Sequence, residues 1–247
     1  MPSDAPTLRV AAAQFPVSGQ VSENLGHVLA LLDEAAMRGA DVVHFPESAL
    51  PGYRPRHDVG PPAALSDATA TVQRRAHQHG LWVVIGTEST DEKLPASRTL
   101  VVSPDGNVAG TYDKRRLYQS ETACYRPGRH PLVLDIAGVR CGFLICYENC
   151  FPELYAELRR QGVSVVFHSF YNAANRRPTA IRHLMEAMLL VRAADHGLHI
   201  SASNSSEPYS PLPATLARPD GVSRSVERHV TGLVIDEVPS RDLGWTP

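Results

Sequence analysis

A chain of 247 residues that is 43% hydrophobic and 20% charged has the material for a sizeable core, in one large domain or two small ones. Its 24 basic and 26 acidic side chains leave a formal charge of −2, which points away from nucleic acid and anionic membrane surfaces as partners. No apolar run approaches bilayer-spanning length, and the first residues lack the basic and apolar stretches of a leader, so a cytoplasmic location is expected and no membrane partner.

In chain order, LRVAAAQ (8–14) predicts a first strand. Ser22 is placed to cap a helix whose apolar residues Leu25, Val28, Leu29, Leu32, Ala35 and Ala36 recur at helical spacing, and Gly39 ends it. DVVHF (41–45) is the next strand. A second helix over residues 67–79 leads into LWVVIG (81–86), which reads as a buried strand. TLVVSPDGNVAGTYDK, around Asp105-Gly106, predicts a hairpin, and PLVLDI with VRCGFLI, around Ala137-Gly138, predicts another. Pro152 to Gln161 reads as a helix, VSVVFHS (163–169) as a strand, Pro178 to His196 as a long helix and LHISASN (198–204) as a strand. The proline-rich EPYSPLP (207–213) is expected to be a surface loop, and ATLARPDGVSRSVERHVTGLVIDEV a third hairpin-like region closing on a strand. Hairpins set among βαβ units imply mixed sheets. Two such sheets packed face to face, with helices outside, accommodate both patterns.

Cys124, Cys141, Cys146 and Cys150 do not read as a disulfide framework in a chain of this size. Their C-x4-C and C-x3-C spacings lack a C-x2-C knuckle, and the 11 histidines include no H-E-x-x-H pair, so no metal site is expected.

The stretch GVRCGFLICYENCFPELYAEL (138–158) carries the chemistry. An apolar strand stops at Cys146 and Pro152 opens a helix, so the thiol sits at a bend where main-chain N–H groups can face the same cleft. That suits a nucleophile beside an oxyanion site, although a cysteine taken alone is more often a structural one. Glu47, in HFPESALPGY, follows a strand that ends in Phe45-Pro46; apolar neighbours would desolvate its carboxyl and raise its pKa towards that of a usable base. Tyr53 closes that segment and can line the same pocket. Lys114, in TYDKRRLY, reads by itself as part of a solvated basic turn with Arg115 and Arg116. Held against a carboxylate in a cleft, it would stabilise an oxyanion. A carboxylate base, an ammonium and a thiol, each at a strand end, suffice for acyl transfer through a thioester.

These three motifs, FPES with Glu47, YDKRRLY with Lys114 and GFLICYENCFPE with Cys146, resemble in order and spacing those of the nitrilase or carbon–nitrogen hydrolase superfamily. AAAQF near the start, RPG at 126–128, Asn204 and ARPDG at 217–221 agree, and the likeness runs from Arg9 to Val238. The resemblance implies a single α+β domain over residues 1–247, built as a four-layer α-β-β-α sandwich of two mixed sheets with helices on the outer faces. It implies Glu47 as general base, Lys114 as oxyanion-stabilising cation and Cys146 as nucleophile. Glu121, six residues before Pro127-Gly128, would be the second glutamate that holds Lys114, and the Tyr147 N–H a further oxyanion donor. No metal or organic cofactor is implied. The partners implied are a small-molecule amide, nitrile or ureido substrate and a second copy of the chain in a homodimer or larger assembly. The candidate pairing surfaces are the helix with Ile181, Leu184, Met185, Met188 and Leu189, and the segment Phe151 to Leu158.

Substrate choice is less legible. CYEN (146–149) is similar to the CWEN run of nitrilases, but the lysine region lacks their longer insertion. FYNAA (170–174), with Asn172 26 residues beyond Cys146, is similar to the pocket-lining segment of N-carbamoyl-amino-acid amidohydrolases. Where those enzymes place arginines just after the cysteine, Glu148 and Asn149 stand here, with Arg176 and Arg177 as candidate substitutes. Glu148 beside the substrate would disfavour an anionic one. Amide hydrolysis therefore ranks first, nitrile second and carbamoyl third. Readings of a different class are a Cys–His hydrolase on another fold, which leaves Glu47 and Lys114 unexplained, and a catalytically silent binding protein on the same scaffold.

Overall fold

Alternation along the first strand, β1 (Thr7–Phe15), sets the layers. Leu8, Val10 and Ala12 pack into one core, while Ala11, Ala13 and Phe15 pack into another on the opposite face. The structure, a computed structural model, describes residues 6–90, 94–173 and 181–239, with side chains from Leu184 onward in the last stretch.

One sheet runs in the order β5 (Val108–Asp113), β4 (Ser97–Val102), β3 (Trp82–Glu88), β2 (Val42–His44), β1 and β12 (Gly232–Pro239). The second contains β6 (Val133–Ile136), β7 (Val139–Ile145), β8 (Val165–Ser169), β9 (His199–Ser205), β10 (Thr215–Ala217) and β11 (Ser223–Ser225). A short parallel pairing of Gln14 with Asn204 and Phe15 with Ser205 joins them. Helices α1 (Val21–Met37) and α2 (Pro62–His79) cover the first sheet through Val28, Leu32, Val72 and Ala76. On the second sheet, α3 (Pro152–Arg160) and α4 (Ile181–His196) do the same through Leu154, Leu158, Leu189 and Ala193. The result is the four-layer α-β-β-α sandwich. Between the sheets, buried His44 pins one to the other through the Ser201 and Ser169 hydroxyls, each at 2.9 Å. Burial holds its imidazole neutral by pushing the pKa down to about 3.

Several boundaries differ from those read off the sequence. Ser22 is not a cap: α1 starts two residues earlier than a cap there would give, after Gln20, whose side chain makes no capping bond. Buried Asn24 ties down the helix entry instead, accepting from the Ser18 N–H at 2.9 Å and donating to the Ser18 carbonyl at 2.8 Å. The buried stripe accordingly takes in Leu31 and Asn24 and leaves Leu29 only half-buried. Helix α2 begins five residues sooner than expected, because proline at the first turn suits a helix start even without apolar periodicity. EPYSPLP is only partly at the surface: Leu212 is fully buried, and Asn204 holds its carbonyl at 2.6 Å. The first residues of the expected 178–196 helix, 178–180, lie outside the described residues. Among the described residues no helix is long and apolar enough to cross a membrane.

Candidate active site

Strands β2, β5, β7, β8 and β9 all run the same way, so their carboxyl ends share one side of the sandwich. Lys114 follows β5 directly and Cys146 follows β7; Glu47 lies just beyond β2, Asn172 just beyond β8, and Asn204 near the end of β9. Two close approaches hold these ends in place. Strand β3 passes under the Glu47 loop so tightly that a Cβ on Gly86 would lie 2.2 Å from the Pro46 carbonyl oxygen and 2.4 Å from the Ser48 nitrogen. Gly128 donates its N–H to the Lys114 carbonyl at 2.7 Å, and a Cβ there would meet the Asp113 carbonyl oxygen at 2.1 Å. No side chain fits either position.

Lys114 is completely buried, with its Nζ 2.8 Å from Glu47 Oε1 and 2.6 Å from Glu121 Oε1. Glu121 also accepts from the Tyr53 hydroxyl at 3.0 Å and, through Oε2, from the Tyr118 N–H at 2.6 Å. Glu47 Oε2 accepts from the Tyr171 N–H at 3.1 Å, and the neighbouring Cys146 thiol favours the charged form of the carboxyl. Burial pushes the Glu47 carboxyl up to about 7 against the opposing pull of the Lys114 ammonium. For Lys114 burial works towards the neutral amine, but Glu47 and Glu121 outweigh it and hold its pKa well above the ordinary lysine range. Burial, reinforced by Glu47, raises the Cys146 thiol well above its usual range despite Lys114. The thiol is therefore held protonated, and the Glu47 carboxyl beside it titrates near neutral pH.

Cys146 itself has φ +47°, the left-handed region that costs a non-glycine residue about 1–2 kcal/mol. It opens a short 3-10 turn, Cys146–Cys150, before α3. Strain at a half-buried thiol on a strand-to-helix corner is the arrangement expected of an exposed nucleophile. Tyr147 packs edge-on between Tyr118 and Phe151, with ring centroids 5.3 Å apart in both pairs.

Glu148 is not where the sequence suggested. It is fully buried, and its oxygens accept from the Tyr112 hydroxyl at 2.8 Å, the Ile145 N–H at 2.7 Å, the Arg115 N–H at 2.8 Å and the Arg116 N–H at 3.2 Å. These donors flank Cys146 on one side and Lys114 on the other, so Glu148 clamps the two segments together rather than facing substrate. Its charge no longer argues against an anionic substrate. Replacing it with glutamine would turn an amide NH2 towards main-chain N–H donors. Glu148→Gln is expected to cost about 1–3 kcal/mol in urea unfolding and to lower kcat roughly tenfold.

The structure thus brings together Glu47, Lys114, Glu121, Cys146, Tyr53 and Asn172, the last with its Nδ2 3.4 Å from Cys146 Sγ. Arg176 and Arg177 lie outside the described residues. Sequence reasoning missed the Tyr171 main chain, whose N–H meets Glu47 and whose carbonyl lies 3.7 Å from Cys146 Sγ. Side-chain identity carries no signal for such a role. Among the described residues no group of three or more His, Cys, Asp or Glu side chains is placed to hold a metal ion.

Residues 9–207 match the carbon-nitrogen hydrolase family. The chain is 33% identical over 207 residues to the glutamine-dependent NAD(+) synthetase of Xylella fastidiosa, a stretch that covers 80% of this chain but only 37% of that protein. It is 28% identical over 239 residues to a hydrolase of Mycobacterium tuberculosis, covering 92% of this chain and 84% of that one. An amidase of the nitrilase superfamily from Nesterenkonia superposes with a TM-score of 0.84 at 21% identity, over 97% of this chain and 95% of that chain, which shows the shared fold. The chain belongs to the carbon-nitrogen hydrolase family and is an enzyme of that class.

Proposed function

We propose that this hydrolase cleaves the C–N bond of a small amide through a thioester on Cys146, and the observation that carries the reading is the buried Glu47–Lys114–Glu121 network against the thiol. Glu47 takes the thiol proton as Cys146 Sγ attacks the amide carbon. Lys114 Nζ and the Tyr147 N–H receive the oxyanion, and Glu121 holds the ammonium in place. Collapse breaks the C–N bond, with the proton on Glu47 passing to the departing ammonia or amine. Glu47 then activates the water that releases the acid. The glutamine dependence named for the Xylella fastidiosa relative supports an amide, since glutamine carries a primary one. The test is ammonia release across small amides, nitriles and ureido acids with Cys146→Ala as the blank; release from nitriles alone would replace the amide reading.

A base at about 7 gives a pH signature. Protonated Glu47 cannot accept the thiol proton, so kcat/KM is expected to fall tenfold per unit below about pH 7. Lys114, held protonated, contributes no alkaline loss near neutrality. Glu47→Gln should remove that acid limb and lower activity by about 10²–10⁴-fold, read from pH–rate profiles of both proteins.

The same reading includes a two-fold homodimer. Along α4, Leu184 and Val191 are exposed and Met188 half-buried, an apolar row one helical turn apart on the side away from the core. Light scattering at micromolar concentration is expected to give twice 26.9 kDa. A fully active species at the monomer mass would be evidence against pairing.

A further inference from the structure

Asn204 is completely buried, and main-chain neighbours fix both ends of its amide. Its Oδ1 accepts the Ser205 main-chain N–H at 2.9 Å, and its Nδ2 donates to the Leu212 main-chain carbonyl at 2.6 Å. A main-chain N–H can only donate and a carbonyl can only accept, so the amide has one possible orientation. The second N–H of Nδ2 then points at Asn172, 2.8 Å from its Oδ1. Asn172 must present its oxygen to Asn204 and its NH2 outward, where Nδ2 meets Cys146 Sγ at 3.4 Å. The main-chain groups of Ser205 and Leu212 thereby dictate that Asn172 turns a donor and not an acceptor towards the sulfur.

We propose that Asn172, oriented by Asn204, is a catalytic residue that donates a hydrogen bond to the Cys146 sulfur and so stabilises its thiolate as Glu47 withdraws the proton. The proposal rests on Cys146 being the nucleophile. The donor acts at the same moments as Lys114 but on a different atom. Lys114 serves the oxygen of the tetrahedral intermediate, whereas Asn172 serves sulfur when it first gains charge and again when the thioester breaks and sulfur leaves. Lys114 favours the thiolate but does not offset burial and Glu47, which leaves room for a further donor on sulfur. A neutral amide adds a donor without drawing Glu47 into another ion pair. This goes further than a pocket-lining role, which would leave the free thiol unaffected.

Alkylation by iodoacetamide isolates the step. Cys146 Sγ forms the S–C bond, iodide leaves, and the thiol proton passes to Glu47, with no amide substrate involved. Rates at Cys146 are measured by mass spectrometry of its peptide, with Cys124 and Cys150 in the same molecules as references. In Asn172→Leu the Cys146 rate at pH 7 is expected to fall about tenfold relative to the references, the size of a charge-assisted hydrogen bond. The pH midpoint of alkylation should rise as well. Asn172→Asp, which puts a carboxylate against sulfur, should be slower still. Asn204→Asp keeps the acceptor for Ser205 but turns Asn172 round, so it should slow alkylation although the Asn172 side chain remains. If that buried change prevents folding, the two Asn172 variants decide alone.

Unchanged alkylation rate and midpoint in Asn172→Leu, with turnover lost, would overturn the proposal and leave Asn172 as a substrate contact. Wild-type Cys146 alkylating no faster than Cys124 and Cys150 would overturn both this proposal and the nucleophile reading beneath it. Rapid wild-type labelling that Asn172→Leu leaves intact removes the proposal alone.

Discussion

Cys146→Ala should lower turnover of a confirmed substrate by roughly 10⁴–10⁶-fold, the scale on which an enzyme loses a covalent nucleophile. The fold should survive. The side chain is half-buried, its thiol is neutral, and its partners include the Tyr171 carbonyl and the Asn172 amide. A second variant separates chemistry from strain. Alanine at φ +47° retains the backbone cost that cysteine bears, whereas glycine relieves it. Cys146→Gly is therefore expected to be equally inactive but about 0.5–1 kcal/mol more stable than Cys146→Ala in denaturant unfolding. Such an ordering would mark the strain as a feature kept for the position of the sulfur. Wild-type turnover by Cys146→Ala would remove the thioester mechanism.

The sandwich was legible because local patterns and global architecture agree. β1 alternates cleanly between two cores, and turn residues mark the β4–β5 and β6–β7 hairpins. The candidate site was legible where a side chain stands at the end of an apolar run, as with Glu47, Lys114 and Cys146, which the fold brings together. It was opaque where the partner is main chain. Glu148 looks like a substrate contact because it stands two residues from Cys146, yet its donors include the N–H of Arg115, 33 residues away in sequence. Only the meeting of the β5 and β7 ends reveals it as a clamp. The Asn204–Asn172 pair is hidden for the same reason. Neither residue type signals an orientation, which comes from Ser205 and Leu212 main-chain groups. Ser22 shows the converse, a good capping residue whose role is displaced because Asn24 anchors the helix entry to the Ser18 main chain.

Lys114→Met should be the most damaging change to the fold as well as to activity. Methionine fills much of the lysine's space but leaves Glu47 and Glu121, both almost completely buried, without the cation between them. Breaking a buried ion pair from one side costs about 3–5 kcal/mol, and loss of an oxyanion donor about 10²–10³-fold in kcat. The stability loss carries a pH signature. Already in the wild type the Glu47 carboxyl stands at about 7 against an ordinary 4.5, so the folded state binds more protons than the unfolded state between those values. That contribution to stability is lost as pH rises through the window. Without the ammonium, which pulls the Glu47 carboxyl down, that group is pushed further in the protonated direction, and the window widens upward. The gap in unfolding free energy between wild type and Lys114→Met is thus expected to be small near pH 5 and to grow steadily to pH 8 in urea titrations. A gap that is constant with pH would mean that Lys114 acts through packing alone. Double replacement supplies the complement: Lys114→Met combined with Glu121→Gln removes one of the stranded charges and should recover part of the lost stability without recovering turnover. Recovery of both would show that the ammonium is needed only to neutralise Glu121, and the oxyanion role assigned to Lys114 would have to pass to the main-chain donors at the Cys146 corner.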